Sequence, residues 1–100
     1  MLTQEKVMAV LSDVYDPELM VSIVDLGLVY GVRIGERMVT IEMTLTSVGC
    51  PAGEMLERDI RKHLRELPGI EAVEVEFVWD PPWEPSMMTE EARLELGYDI

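Results

Sequence analysis

The period of the apolar positions changes along this chain, and each change marks an element. Val7, Val10, Leu11 and Val14 recur at helical spacing, giving one apolar stripe on a first helix. Thr3 is placed to cap it, with Leu2 and Val7 as a hydrophobic staple. Pro17 disfavours helical geometry at Asp16, so the pattern predicts that the helix runs down to Tyr15-Asp16-Pro17-Glu18 and stops there. Leu19 to Asp25 is apolar apart from Ser22 and Asp25 and reads as an ordered connection. Leu28, Tyr30, Val32 and Ile34 then alternate with Val29, Gly31 and Arg33, the period of a strand. Gly35-Glu36-Arg37 turns the chain into a second strand, Met38 to Thr46, predicting an antiparallel hairpin. Here Val39, Ile41, Met43 and Leu45 face one way and Thr40, Glu42, Thr44 and Thr46 the other, as in a half-buried strand.

From Pro51 a second helix carries Ala52, Leu56, Ile60, Leu64 and Leu67 mostly four apart, and Pro68-Gly69 stops it. Val73, Val75, Phe77 and Trp79 alternate with Ala72, Glu74 and Glu76 in a third strand, whose Trp79 should still belong to the core. Asp80-Pro81-Pro82-Trp83-Glu84-Pro85 predicts an extended arm that lays Trp83 on something apolar. Thr89 caps a last short helix ending before Gly97. The order α-β-β-α-β predicts an α/β (α+β) two-layer sandwich, with the helices on one face of a small mixed three-stranded sheet, followed by a C-terminal arm plus short helix. Residues 1–80 form the core and 81–100 the appendage of the same domain, since 100 residues suffice for one core and not for two.

Charge narrows the partners. Twenty acidic residues against eight basic ones leave a net charge of -12, which opposes nucleic acid and anionic lipid, because each phosphate contact needs a cation. Acidity alone also serves plain solubility, so it names no basic partner. No apolar run approaches the roughly 20 residues of a membrane span. The single cysteine excludes an internal disulfide, and the start Met1-Leu2-Thr3-Gln4-Glu5-Lys6 has neither the basic nor the apolar run of a signal peptide; both point to a reducing cytoplasm.

That cysteine, Cys50, sits where the second strand runs into the second helix. Pro51 suits the first helical position, which places Cys50 at the N-cap. Free N–H groups and the positive end of the helix dipole there favour a thiolate and lower the thiol pKa. The alternative is a small thiol that merely packs. His63 lies between Ile60 and Leu64 with no second histidine in the chain, which favours packing over metal ligation. The eight methionines are scattered as gap fillers and compose no copper site. For Asp16 and Glu18 the residues alone favour turn chemistry and helix termination, and Asp25 is likewise a turn or cap residue.

Three stretches carry a resemblance when taken jointly: Asp16-Pro17-Glu18-Leu19, then Val24-Asp25-Leu26-Gly27-Leu28-Val29-Tyr30, then Thr44-Leu45-Thr46-Ser47-Val48-Gly49-Cys50-Pro51. They resemble the PaaD-like and SufT-like family, within the iron-sulfur cluster assembly domain-like fold. The resemblance runs from about Val7 to Trp79, and Trp79-Asp80-Pro81-Pro82-Trp83 looks like the family's ending. It implies a factor that assists insertion or transfer of Fe-S clusters into client proteins; the PaaD branch is linked to assembly of a phenylacetate-type oxygenase. Met20 stands where a proline or small residue is expected, and Ser22 where asparagine is common. The cysteine-rich C-terminal region of PaaD proper has no counterpart here, which favours the minimal SufT-like type. Carried over residue by residue, the family's positions are Asp16, Glu18, Thr46, Ser47 and Cys50, with Cys50 a labile iron or cluster ligand.

No tightly bound cofactor is implied, only transient iron or a transient Fe-S cluster, because a closed cluster usually takes four cysteine ligands and this chain supplies one. A homodimer would bring two thiolates together. The implied partners are the Fe-S assembly machinery and client apo-proteins. Two other readings compete with this one: a thiol enzyme with Cys50 as nucleophile and Asp16 or Glu18 as base, and an interaction module with an inert thiol.

Overall fold

The computed structural model describes residues 2–17, 19–46 and 52–97. Helix α1 spans Gln4–Leu11 and is capped as the sequence predicts, Thr3 accepting a hydrogen bond from the Lys6 N–H at 3.1 Å. It ends earlier than Pro17 alone suggests. The Ser12 hydroxyl donates to the Ala9 carbonyl at 2.6 Å, and the N–H groups of Asp13 and Val14 reach back only three residues, to Val10 and Leu11. Serine and aspartate compete with the helix for its own backbone groups, and the tightened turn delivers Val14 into the core from outside the helix.

Three strands follow, β1 (Val29–Ile34), β2 (Met38–Met43) and β3 (Ala72–Phe77), in the spatial order β1-β2-β3. β1 and β2 form the expected antiparallel hairpin, closed by the Gly35 N–H on the Met38 carbonyl at 2.7 Å. β3 runs parallel to β2, from Met38 opposite Ala72 to Met43 opposite Phe77. A parallel neighbour needs a crossover, which α2 (Ala52–Leu64) supplies. Leu56, Ile60 and Leu64 of α2, Val7 and Leu11 of α1, and Val39, Ile41 and Met43 of β2 are all fully buried, each worth about 1.5–3 kcal/mol of transfer free energy. The mixed two-layer fold is therefore as predicted, with both helices on the face of β2 that carries its apolar residues.

Several expectations need correction. β2 stops at Met43 rather than Thr46, because its last rung to β1 is the Thr44 N–H on the Leu28 carbonyl at 2.8 Å and the chain before Leu28 is a turn that offers no further strand partner. Its hydroxyl face is solvated only in part, at Glu42 and Thr46. Thr40 and Thr44 are buried, since β2 is central and the Arg33 guanidinium spans its outer face to Glu42 at 3.1 Å and Glu76 at 2.8 Å. The hydrogen bond to Glu76, and then the attraction of Glu42 and Glu76, raise Arg33 above its ordinary pKa. In β1 the register shifts between Val29 and Gly31, opposite Met43 and Glu42. Tyr30 is thus the extra residue of a β-bulge, and Val29 rather than Tyr30 shares the inner face with Val32 and Ile34. α2 closes at Leu64, short of Leu67.

β3 ends at Phe77, and Trp79, expected in the core, is 43% exposed. The last rung is the Val78 N–H on the Met43 carbonyl at 2.8 Å. Phe77 already lies against the first turn of α2, beside Gly53, and Trp79 lies past the sheet. Its ring stacks on Phe77, centroids 6.5 Å apart and planes 16° from parallel. The arm then makes a short 3-10 turn, Pro85–Met87, and α3 (Glu90–Leu96) follows, capped by Thr89 and closed by Gly97 at φ +85°. Met88 and Ala92 are buried in the common core. Among the described residues no helix is long and apolar enough to cross a membrane.

Candidate functional site

The pairing registers gather one end of the sheet. The start of β1, the end of β2 and the end of β3 meet there, as Val29 opposite Met43 and Met43 opposite Phe77. The first turn of α2 joins them: a Cβ on Gly53 would meet Leu45 at 3.1 Å and Phe77 at 3.8 Å. The loop from Ser22 to Leu28 closes the same end, its Leu28 carbonyl accepting from Thr44.

Asp16 belongs to the turn that leads into this loop. It is buried, its Oδ1 accepts from the Leu19 N–H at 3.0 Å, and its own N–H bonds the Val21 carbonyl at 2.9 Å. Tyr15 and Ser22 pair as an isolated antiparallel bridge around it. Asp16 therefore does the turn work that the residues alone suggest, in a tight loop where Met20 takes φ +58°. Thr46 is half-buried just past the end of β2, at the gathered end of the sheet. Glu18, Ser47 and Cys50, and with them the N-cap placement of Cys50 before Pro51, lie outside the described residues. Among the described residues no three of His, Cys, Asp and Glu cluster as a metal site. His63 is a helix residue whose Nδ1 lies 2.8 Å from the Asp59 carbonyl, in keeping with a structural role.

Periodicity gave no hint of how the arm is fastened. The Trp83 Nε1–H donates to the Leu26 carbonyl at 2.7 Å, and the Thr89 N–H to the Asp25 carbonyl at 2.8 Å. Tyr30, pushed out by the bulge, donates its hydroxyl to the Pro81 carbonyl at 2.8 Å and touches the Met87 sulfur at 3.5 Å. Gly27, at φ +77°, lets the Met87 carbonyl approach so closely that a Cβ there would sit 2.3 Å from its oxygen. Trp83 thus seats on the Leu26-Gly27 loop. The signal was present in Leu26-Gly27-Leu28, where a glycine before a strand often marks close backbone approach, but its partner lies 60 residues on.

Burial, and secondarily the charge of Asp80, raise the Tyr30 phenol above its ordinary value of 10.0. A raised phenol pKa means that the folded chain holds this proton more tightly than the unfolded chain does. Its contribution is fully present below pH 10 and is lost as pH rises through the folded value. Phenolate absorbance on titration should therefore show a late-ionising component that Tyr30→Phe removes. The variant should also flatten the fall in stability at alkaline pH, at a cost of about 1 kcal/mol near neutrality.

A family model described as iron-sulfur cluster assembly protein matches residues 4–77. The Staphylococcus aureus Fe-S protein maturation auxiliary factor SufT is 47% identical over 85 residues, covering 84% of this chain and 97% of that protein. The Bacillus subtilis Fe-S protein maturation auxiliary factor YitW is 45% identical over 95 residues, 94% of this chain and 93% of its own. Among solved structures, a domain of unknown function from Bacillus anthracis superposes with a TM-score of 0.90 at 41% identity, covering 96% of this chain and 92% of that one.

Proposed function

The chain belongs to the iron-sulfur cluster assembly protein family, and from that premise we propose that it is a maturation factor that helps pass Fe-S clusters or iron to client apo-proteins. The observation that carries the reading is similarity spanning nearly the whole length of maturation factors of comparable size. The gathered end of the sheet, with the end of β2 and the start of α2, is consistent with it, since Cys50 lies in the segment between those two elements.

In this reading the cluster is cargo, and Cys50 is its soft ligand. Thiolate suits iron and Fe-S clusters, and a lone cysteine leaves most coordination positions to the donor, to the client or to a second copy of the chain. Binding of that kind is labile, as transfer requires. Asp16, Glu18, Thr46 and Ser47 are the oxygen donors this reading assigns to the same cargo, Asp16 being held in place by its turn. We place the protein in the cytoplasm, with the Fe-S assembly machinery as donor and a weak homodimer as the form that offers two thiolates. The arm 81–100 acts as part of the same domain as 1–80.

Anaerobic reconstitution with iron and sulfide tests this. The wild-type chain should take up iron with visible absorption, and Cys50→Ser should lose it; equal iron in both would remove Cys50 from the site. Alkylation of Cys50 by iodoacetamide should titrate below the ordinary thiol value of about 8.5. A midpoint at or above that value would count against the helix-dipole argument.

A further inference from the structure

The two edges of the sheet are treated differently. On the β1 side, the Gln4 side chain donates to the Val32 carbonyl at 2.8 Å, and α1 walls a groove of about 330 Å³ with Met8, Val29 and Tyr30. On the β3 side, the Val78 N–H points inward to Met43 while the Val73 carbonyl points outward to the Arg61 guanidinium. Backbone groups alternate along an edge strand, so Val75 and Phe77 direct theirs outward as well. Among the described residues nothing receives them.

What flanks this open edge has two characters. Toward the helices lies the stacked pair Phe77 and Trp79, the latter 43% exposed. Toward the outer face lie the exposed carboxylates of Glu74 and Glu76, with Asp80 just beyond Trp79. Arg33 holds Glu76; no cation among the described residues lies within ion-pair distance of Glu74 or Asp80. A net charge of -12 makes a second copy of this chain a poor strand partner at such an edge.

We propose that the outer edge of β3, from Glu74 to Asp80, docks an extended segment of a client protein in which basic and apolar residues alternate. An added strand would bond the outward backbone groups of Val75 and Phe77. Side chains alternate between faces, so one set meets the aromatic pair while the other meets the carboxylates. The inference rests on the reading of the chain as a factor that meets clients, and it places the docking edge at the same end of the sheet as the start of α2.

The probe is an octapeptide alternating lysine and valine, titrated into the metal-free full chain while backbone amide and indole signals are followed by NMR. Salt-sensitive binding is expected, with the largest shifts at Val75, Phe77 and Trp79. Trp79→Ala and the pair Glu74→Lys with Asp80→Lys should each weaken it by about tenfold or more, as loss of an interface anchor does. These residues are exposed, so thermal melting should stay near wild type and show that the variants fold. A peptide N-methylated at alternate residues should lose binding on one of its two methylation patterns. Equal binding of a glutamate–valine peptide, shifts confined to other surfaces, or no shifts at millimolar peptide would overturn the proposal. Because no iron is present, the result stands apart from the reconstitution: Cys50→Ser should bind the peptide as wild type does even when it takes up no iron.

Discussion

Ending the chain at Asp80 should lower the unfolding free energy by about 3–5 kcal/mol, the range for emptying one large buried site. Four anchors disappear together. Met88 and Ala92 leave the core, the Trp83 ring leaves the Leu26-Gly27 loop, and the bonds from Trp83 and Thr89 to the Leu26 and Asp25 carbonyls are lost. Domains of this size hold only about 5–15 kcal/mol in total, so the loss is a large share of the whole. Each kilocalorie moves the midpoint of a domain this small by roughly 4–8 °C, and thermal unfolding followed by circular dichroism should show a fall above about 10 °C. Trp83→Ala alone should reproduce much of it. A truncated chain that melts like the full one would show the arm to be a dispensable tail.

The sequence predicted the arm's destination only in kind. Three prolines stiffen Asp80 to Pro85 and a tryptophan demands cover, so a fold-back onto something apolar was legible. Its landing site was not, because periodicity reports the face of an element and says nothing about contacts made 57 residues apart. The same limit explains Trp79: alternation continues past Phe77 although the ladder ends there. The bulge at Tyr30 is invisible for the opposite reason, since one extra residue breaks the period inside a strand that otherwise keeps it. What periodicity did carry was the element order, the hairpin, the crossover helix and the caps at Thr3 and Thr89. The candidate site rests on motifs rather than periods, and of its residues the structure describes Asp16 and Thr46. Buried in its turn and bonded to the Leu19 N–H, Asp16 has a structural task of its own.

Gly27→Ala should cost about 2–4 kcal/mol in the full-length chain, combining overpacking with a side chain forced into the left-handed region. The added Cβ would stand 2.3 Å from the Met87 carbonyl oxygen, which is backbone and has no rotamer to yield. Either the loop moves or the arm lifts. Lifting the arm would break the Trp83 and Thr89 bonds to Leu26 and Asp25, on either side of the substitution. The decisive comparison is a cycle with the chain that ends at Asp80, where Met87 is absent and only the backbone cost of φ +77° remains. There the same substitution should cost about 1 kcal/mol. The difference between the two backgrounds is the coupling between loop and arm. Equal costs in both would mean that the arm does not rest on Gly27. A large coupling accompanied by unchanged iron uptake would separate the arm's structural hold on this end of the molecule from the chemistry of Cys50.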